Sequence, residues 1–311
     1  APVETRVTQQ DSQSDRIARL IQQAMQRSGS FTESLNPFTR DVALWRAARD
    51  GRSRVQVRAQ LLLELVGLAQ IEIGPDWTLA GEHLASSVNG FGFAFQSEPC
   101  QTSPEQLCAL GVAPEDAPRV RGLVRNWVRR PGNVAAALGA YGIGQIRPGS
   151  DLACANTGTP PSFVYHGGGW IENHSIRDYA KVLRLGFRGI RAEVEAQLAQ
   201  LDLADPETPQ RENFIRAALA VCDAGILLGQ RYAERARALA TQTSNPAERA
   251  RLMQMAACCT RVPAEGARTL REATQSLWLA HILTCGEDSI NANSIGRLDQ
   301  ILKPYYQADL N

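Results

Sequence analysis

Residues 165 to 174 concentrate reactive side chains: Tyr165, His166, three glycines, Trp170, Ile171, Glu172, Asn173 and His174. The segment holds two of the four histidines of the 311-residue chain, an aromatic pair and a carboxylate. An imidazole can move protons near neutral pH or hydrogen-bond a polar substrate. Consecutive glycines allow close approach to the backbone. His166, Glu172 and His174 could in principle hold a metal, but the spacing is loose and no further ligand is evident, so no metal is expected. The two histidines are also compatible with ordinary packed positions.

A second polar cluster, Glu287, Asp288, Ser289, Asn291, Asn293 and Ser294, follows an apolar helix end at Leu283. Such groups either cap the helix or line a cavity, and capping alone does not need six of them. The adjacent pair Cys258 and Cys259 could relay a redox event, yet it ends an amphipathic helix beside Met253 and Met255 and reads as core. GAYGIGQIRPG (139–149) has two glycines of a dinucleotide fingerprint but Arg147 in place of the third. Arg119, Arg121, Arg125, Arg129 and Arg130 lie opposite Val120, Leu123, Val124 and Trp127 and read as a solvated or protein-contact face. The chain has no Walker loop, H-E-x-x-H, paired C-x-x-C or G-x-S-x-G.

The elements that must position these clusters are helical. Residues 1–14 read as a flexible tail. Ile17, Leu20, Ile21 and Met25 then share a helix face, and Val55, Val57, Leu61, Leu62, Leu65, Val66 and Leu68 mark another helix. IEIGPDWTL (71–79) reads as a short extended piece and a turn. Residues 84–174, rich in glycine, read as irregular with one clear helix between Pro118 and Pro131; long segments of this kind are usually functional or disordered. From Ser175 the pattern is strongly helical. A Ser175-to-Asp178 capping box opens a helix carrying Tyr179, Leu183, Phe187, Ile190, Val194, Leu198 and Leu201. Thr208–Pro209, Asn245–Pro246 and Thr269-x-x-Glu272 announce three more helix starts.

The hydrophobic fraction is 44% and the charged fraction 21%, ordinary for a soluble globular protein, and the formal net charge of +1 gives no pull toward nucleic acid or an anionic membrane. Seven scattered cysteines argue against a disulfide scaffold and for a reducing compartment. No apolar run reaches the roughly 18 residues of a membrane span. The polar start shows no signal peptide, although a cleaved one stays open because the chain begins without Met. The cytoplasm is the expected location.

The last hundred residues carry a resemblance. ENFIRAALAVCDAGILLGQRYAERARALA (212–240) resembles the long helix of glycyl radical enzymes of the pyruvate formate-lyase and diol dehydratase type. The segment 245–284 is similar to that family's next helix, its R-V-P-A linker and its R-T-x-x-E-A-x-Q-S-x-W helix. NSIGRLDQILKPYY (293–306) resembles the S-x-x-G-R-x-D-Q-x-L-x-P-Y-Y segment, ENHSIRDYAKVLRLGFRGI (172–190) the G-H-x-x-x-D-Y-x-K-V-L stretch, and IEIGPDWTLAGEH (71–83), more weakly, a turn near the family's start.

The resemblance implies a mainly α chain with a few short strands, in which 15–311 form the N-terminal helical part and a partial half-barrel of the glycyl radical enzyme α/β barrel. In that family a backbone glycyl radical takes hydrogen from a cysteine, and the thiyl radical attacks a buried substrate. An iron–sulfur, S-adenosylmethionine-dependent activase installs the radical. The chain contains neither a G-C-V-E nor an R-V-x-G-Y loop, so no thiyl cysteine or radical glycine is assigned, and the isolated chain should be inert. Its expected partners are a missing C-terminal half or separate subunit and the activase, with a homodimer when complete and an anaerobic setting. Substrate-binding residues carried over from the family are His174, which matches a histidine bonding a substrate hydroxyl, and His166 with Tyr165 at an aromatic pocket position. Ala292 stands where relatives carry Ser or Asp, so Asn291 or Asn293 would substitute. A neutral imidazole suits a hydroxyl, whereas a carboxylate such as pyruvate's would call for Arg; this favours a dehydratase-like lyase on a small hydroxylated substrate. The alternatives are a radical-free homologue acting as a binding or scaffold subunit, and a formate acetyltransferase-type C–C lyase.

Overall fold

A computed structural model of the chain describes residues 15–22, 37–81, 103–120, 123, 145–146, 154–155, 176–288 and 294–310. The elements are α1 (15–22), α2 (Pro37–Ala48), α3 (Arg54–Leu68), α4 (Pro104–Ala109), β1 (Gln145–Ile146), β2 (Cys154–Ala155), α5 (Tyr179–Leu198), α6 (Thr208–Gln242), α7 (Pro246–Arg261), α8 (Leu270–Asp288) and α9 (Leu298–Leu310). The described residues are mostly helical, as expected. The strands β1 and β2 form an antiparallel two-residue pair.

The 35-residue helix α6 is the axis of the assembly. At a rise of about 1.5 Å per residue it is roughly 52 Å long. Helices α3, α5 and α7 pack along it, and α8 packs against α5, α6 and α7. The core is aliphatic: Leu61, Leu65 and Val66 of α3, Leu228 and Ala236 of α6, Met255 of α7, and Leu279 and Ile282 of α8 are buried. Burying a Leu or Ile side chain is worth about 1.5–3 kcal/mol, so this shared interior dominates over surface ion pairs.

The local start signals act as the sequence predicts at three helices. Pro209 occupies the first turn of α6. The Asn245 side chain accepts hydrogen bonds from the Ala247 and Glu248 amides at the start of α7. At α8 the Thr269 hydroxyl accepts from the Glu272 amide, while the Glu272 carboxylate reaches one residue further back, to the Arg268 amide.

Four expectations need revision or completion. The cap of α5 is the Asp178 carboxylate, which accepts from the Lys181 amide at 3.0 Å; Ser175 lies outside the described residues. Helix α5 is interrupted at Gly186, where φ is 66° and ψ is 171°. Ile17 and Ile21 of α1 are exposed rather than packed; the helix is held by Arg16, which donates to the Asp76 carbonyl, and by Arg19, which pairs with the Asp76 carboxylate. Within the stretch read as irregular stands α4, closed by a reciprocal Ser103–Gln106 capping box with Pro104 at its first turn. That S-x-x-Q signal with Pro was present in the sequence. The expected tail (1–14) and most of the Pro118–Pro131 helix lie outside the described residues.

Candidate functional site

Two chain segments meet where α5 begins and α8 ends. Ile176, just before α5, and Ser294, just before α9, form an isolated parallel β-bridge. Beneath it, Tyr179 at the start of α5 is buried and places its hydroxyl 3.0 Å from Nδ1 of His281 on α8. One helical turn further, the Cys285 sulfur lies 3.4 Å from His281 Nε2. Positions 281 and 285 share a face because four residues make about one turn. Thr284, on the same stretch of α8, donates its hydroxyl proton to the Ala280 carbonyl at 3.0 Å.

The same helix anchors the 71–81 segment. Gln275 is buried; its amide donates to the Ala80 carbonyl at 2.7 Å and its oxygen accepts from the Ala80 amide at 2.8 Å. The Trp278 indole donates to the Gly81 carbonyl at 3.1 Å. Gln275 and Trp278 thus give α8 a polar edge that fixes an extended segment nearly 200 residues away in sequence. Side-chain bonds do here what a sheet ladder does elsewhere.

Burial sets the ionisation of this region. The Tyr179 hydroxyl is raised by loss of hydration, opposed by the polar Thr284 hydroxyl and the positive charge of Arg177. Burial pushes the Cys285 thiol up to about 11, and Cys222 and Cys258 equally; Cys259 moves further in the same direction. These four cysteines are thiols at neutral pH and are not activated as thiolate nucleophiles. The structure buries both Cys258 and Cys259 in the core, as their helix pattern suggested.

Two grooves flank the seam. One, of about 560 Å³, is apolar and is lined by Leu62, Tyr179, Phe187, Phe214, Cys222 and Leu283 among others. The other, of about 570 Å³, lies between the start of α5 and α9 and is lined by Lys181, Arg184, Arg268 and Tyr305.

The residues expected to bind substrate, Tyr165, His166, His174, Asn291 and Asn293, lie outside the described residues, as does the weaker metal set with Glu172. Among the described residues no group of three or more His, Cys, Asp or Glu side chains is arranged to hold a metal. What is described are the flanks of both polar segments, and these are joined: Ile176 follows His174 by two positions and Ser294 follows Asn293 by one. Sequence reasoning missed the Tyr179, His281 and Cys285 cluster. The i,i+4 spacing of His281 and Cys285 was a signal, but the tyrosine partner is 102 residues away.

Residues 167–311 match the family model described as pyruvate formate lyase-like. Isethionate sulfite-lyase of Desulfovibrio desulfuricans is 38% identical over 136 residues, which cover 43% of this chain and 16% of that protein. Trans-4-hydroxy-L-proline dehydratase of Clostridioides difficile is 36% identical over 131 residues, covering 42% of this chain and 17% of that protein. Among solved structures, a glycyl radical enzyme from Archaeoglobus fulgidus superimposes with a TM-score of 0.63 at 24% identity, over 88% of this chain and 35% of that one. The glycerol-bound B12-independent glycerol dehydratase from Clostridium butyricum gives 0.62 at 23% identity, over 88% and 34%. The match thus spans about a sixth of the curated relatives and a third of the solved chains. No described helix is long and apolar enough to cross a membrane. Over residues 167–311 the chain is similar to the pyruvate formate lyase-like family, and it shares the fold of about a third of the glycyl radical enzyme from Archaeoglobus fulgidus.

Proposed function

We propose that this chain is the N-terminal part of a dehydratase-like glycyl radical lyase and supplies one wall of the pocket for a small hydroxylated substrate. The observation that carries the reading is the Ile176–Ser294 bridge. It ties together the flanks of the two polar segments that the sequence singles out, although its residues stand 118 positions apart along the chain. Ile176 and Ser294 are the described residues nearest in sequence to His174 and Asn293.

In this reading His174 hydrogen-bonds a substrate hydroxyl, since a neutral imidazole offers both a donor and an acceptor. Asn291 or Asn293 orients the substrate through amide bonds, and His166 with Tyr165 forms an aromatic side of the pocket. The named actions of the relatives, on isethionate and on trans-4-hydroxy-L-proline, support a substrate of this class. The partial half-barrel is the shape such a wall takes. The radical glycine and thiyl cysteine come from polypeptide carrying the R-V-x-G-Y and G-C-V-E loops, the radical is installed by an iron–sulfur S-adenosylmethionine activase, and the complete enzyme is a cytoplasmic homodimer. Enclosure protects the radical from water and oxygen.

The test is anaerobic reconstitution of this chain with the polypeptide bearing both loops and with the activase, followed by a screen of diols, hydroxyproline, amino alcohols and isethionate. Turnover of a hydroxylated substrate, lost in His174→Ala with thermal stability kept, is the expected result. A glycine-centred electron paramagnetic resonance doublet from this chain alone, or turnover unchanged in His174→Ala, overturns the reading.

A further inference from the structure

We propose that the acidic loop 201–207, between α5 and α6, seats in the cationic groove between α5 and α9 of a second copy of this chain.

Leu203 raises the question, because it is 91% exposed on a loop that is not slack. The Asp205 amide donates to the Asp202 carbonyl at 3.2 Å, closing a β-turn with Leu203 at its second position. The Asp202 and Asp205 carboxylates accept from the Ala204 and Glu207 amides, both at 2.9 Å. Thr208 is buried and donates its hydroxyl proton to the Asp202 carbonyl. A leucine held in water on so fixed a turn loses little further freedom when a partner covers it. The loop around it is acidic. Asp205 and Glu207 share one guanidinium, that of Arg211, and Asp202 has no ion-pair partner among the described residues.

The groove has the opposite character. Its α9 side is the stripe Ile301, Pro304, Tyr305 and Ala308, about 10 Å long at 1.5 Å per residue, and the facing side carries Lys181, Arg184 and Arg268. The carboxylates nearby are committed elsewhere. Glu193 pairs with Lys181, and Asp178 accepts from the Lys181 amide at 3.0 Å. Glu272 accepts from the Arg268 amide at 2.8 Å and pairs with Arg261 at 3.3 Å, and Asp309 accepts from the Leu270 amide at 2.9 Å. Among the described residues the Arg184 and Arg268 guanidiniums are left without a carboxylate.

The spacings agree. The Ala267 amide donates to the Leu183 carbonyl at 2.8 Å, so the segments carrying Arg268 and Arg184 run side by side, about 5 Å apart. The ends of a β-turn stand less than about 7 Å apart. Two carboxylates on one turn therefore meet two guanidiniums on neighbouring segments, with Leu203 laid on the α9 stripe. A small anion would satisfy the arginines and leave that stripe wet. The loop of a second copy covers both.

The loop follows the last turn of α5 and the groove lies at its first. Two copies set antiparallel across this helix make the contact twice, an isologous arrangement that closes as a dimer and does not grow into a filament. This deepens the homodimer of the proposed function and rests on that reading only for its place in the complete enzyme.

The test is analytical ultracentrifugation of the whole chain at rising concentration, with the melting temperature of each variant as a check on folding. The parent should pass from monomer toward dimer, less readily at high salt, because exposed charge pairs are screened. Leu203→Ser and Arg268→Glu should each weaken association by about tenfold or more with melting unchanged, since each loss counts twice in a symmetric dimer. Asp202→Lys should do the same, and joining it to Arg184→Glu or to Arg268→Glu should restore association in at least one of the two pairs. A parent that stays monomeric, association that survives both Leu203→Ser and Arg268→Glu, or charge-exchanged pairs no tighter than their single variants overturns the proposal. Sedimentation needs neither substrate nor radical, so its failure is distinct from a failure of the lyase reading.

Discussion

Gly186 lies so close to Glu265 that a Cβ at position 186 would overlap the Glu265 carbonyl carbon and the Ala264 oxygen. Here the helix α5 opens and the Arg261–Ala264 linker runs beside it. Phe187 and Arg188 donate their amides to the Pro263 and Ala264 carbonyls, both at 2.9 Å, and the Ala267 amide donates back to Leu183 at 2.8 Å. The donors freed by the break are thereby satisfied. At φ 66° and ψ 171° the backbone occupies a region open essentially to glycine. We expect Gly186→Ala to cost more than about 3 kcal/mol, since ~1–3 kcal/mol of backbone strain adds to a clash with main chain that cannot step aside. Urea denaturation measures it, and a loss below 1 kcal/mol would show that the linker moves freely.

Gln275 gives a prediction with a pH sign. It uses both ends of its amide on Ala80. Gln275→Glu keeps the acceptor, but as a carboxylate it faces the Ala80 carbonyl with no proton to offer. Protonated, it restores both bonds. The introduced group is buried, so its folded pKa lies above the unfolded value of about 4.3. The folded state then binds more protons, and stability present below pH ~4.3 is lost as pH rises through the folded pKa. Relative to the parent chain, the variant should weaken steadily from pH 5 to 8 by denaturation midpoint. A pH-independent difference would mean that water reaches the site.

The starts of α6, α7 and α8 were legible because each is written in three or four adjacent residues: Pro209, Asn245 with Pro246, Thr269 with Glu272. The break in α5 was not. Leu183, Phe187 and Ile190 continue a helical period straight through Gly186, and the linker that interrupts it lies more than 70 residues away. The candidate site shows the same division. Its polar clusters stood out by residue type, whereas the bridge between their flanks and the Tyr179–His281 bond are tertiary facts with no local signature. Helix α1 misled for a related reason. Its apolar spacing predicts burial, but two arginines on Asp76 hold it instead.

The buried thiols make the chain sensitive to alkali. Cys222, Cys258 and Cys285 stay protonated in the folded state up to about 11, chiefly through burial. An unfolded thiol ionises near 8.5. Between these values the unfolded chain sheds protons that the folded chain retains, so stability complete below about pH 8.5 falls as pH rises. Each thiol contributes at most ~1.4 kcal/mol per pH unit. Denaturation at pH 8 and 10 should show the loss, and Cys222→Ala should flatten it. In the native chain at pH 8 these cysteines should resist alkylation that proceeds at once in urea. Rapid native labelling of Cys285 would contradict its burial.

Phe214 tests whether the apolar groove is an exposed surface in the isolated chain. Its side chain is 66% exposed at the lip of a groove otherwise walled by Leu62, Phe187 and Leu283. Apolar surface of this kind and continuity marks an interaction site more often than a solvated face. The isolated chain should therefore bind an environment-sensitive hydrophobic dye. Phe214→Asp should weaken that binding severalfold with little change in melting temperature, because a residue so exposed contributes within about 0.5 kcal/mol to folding. Dye binding that survives Phe214→Asp undiminished would place the exposed surface elsewhere.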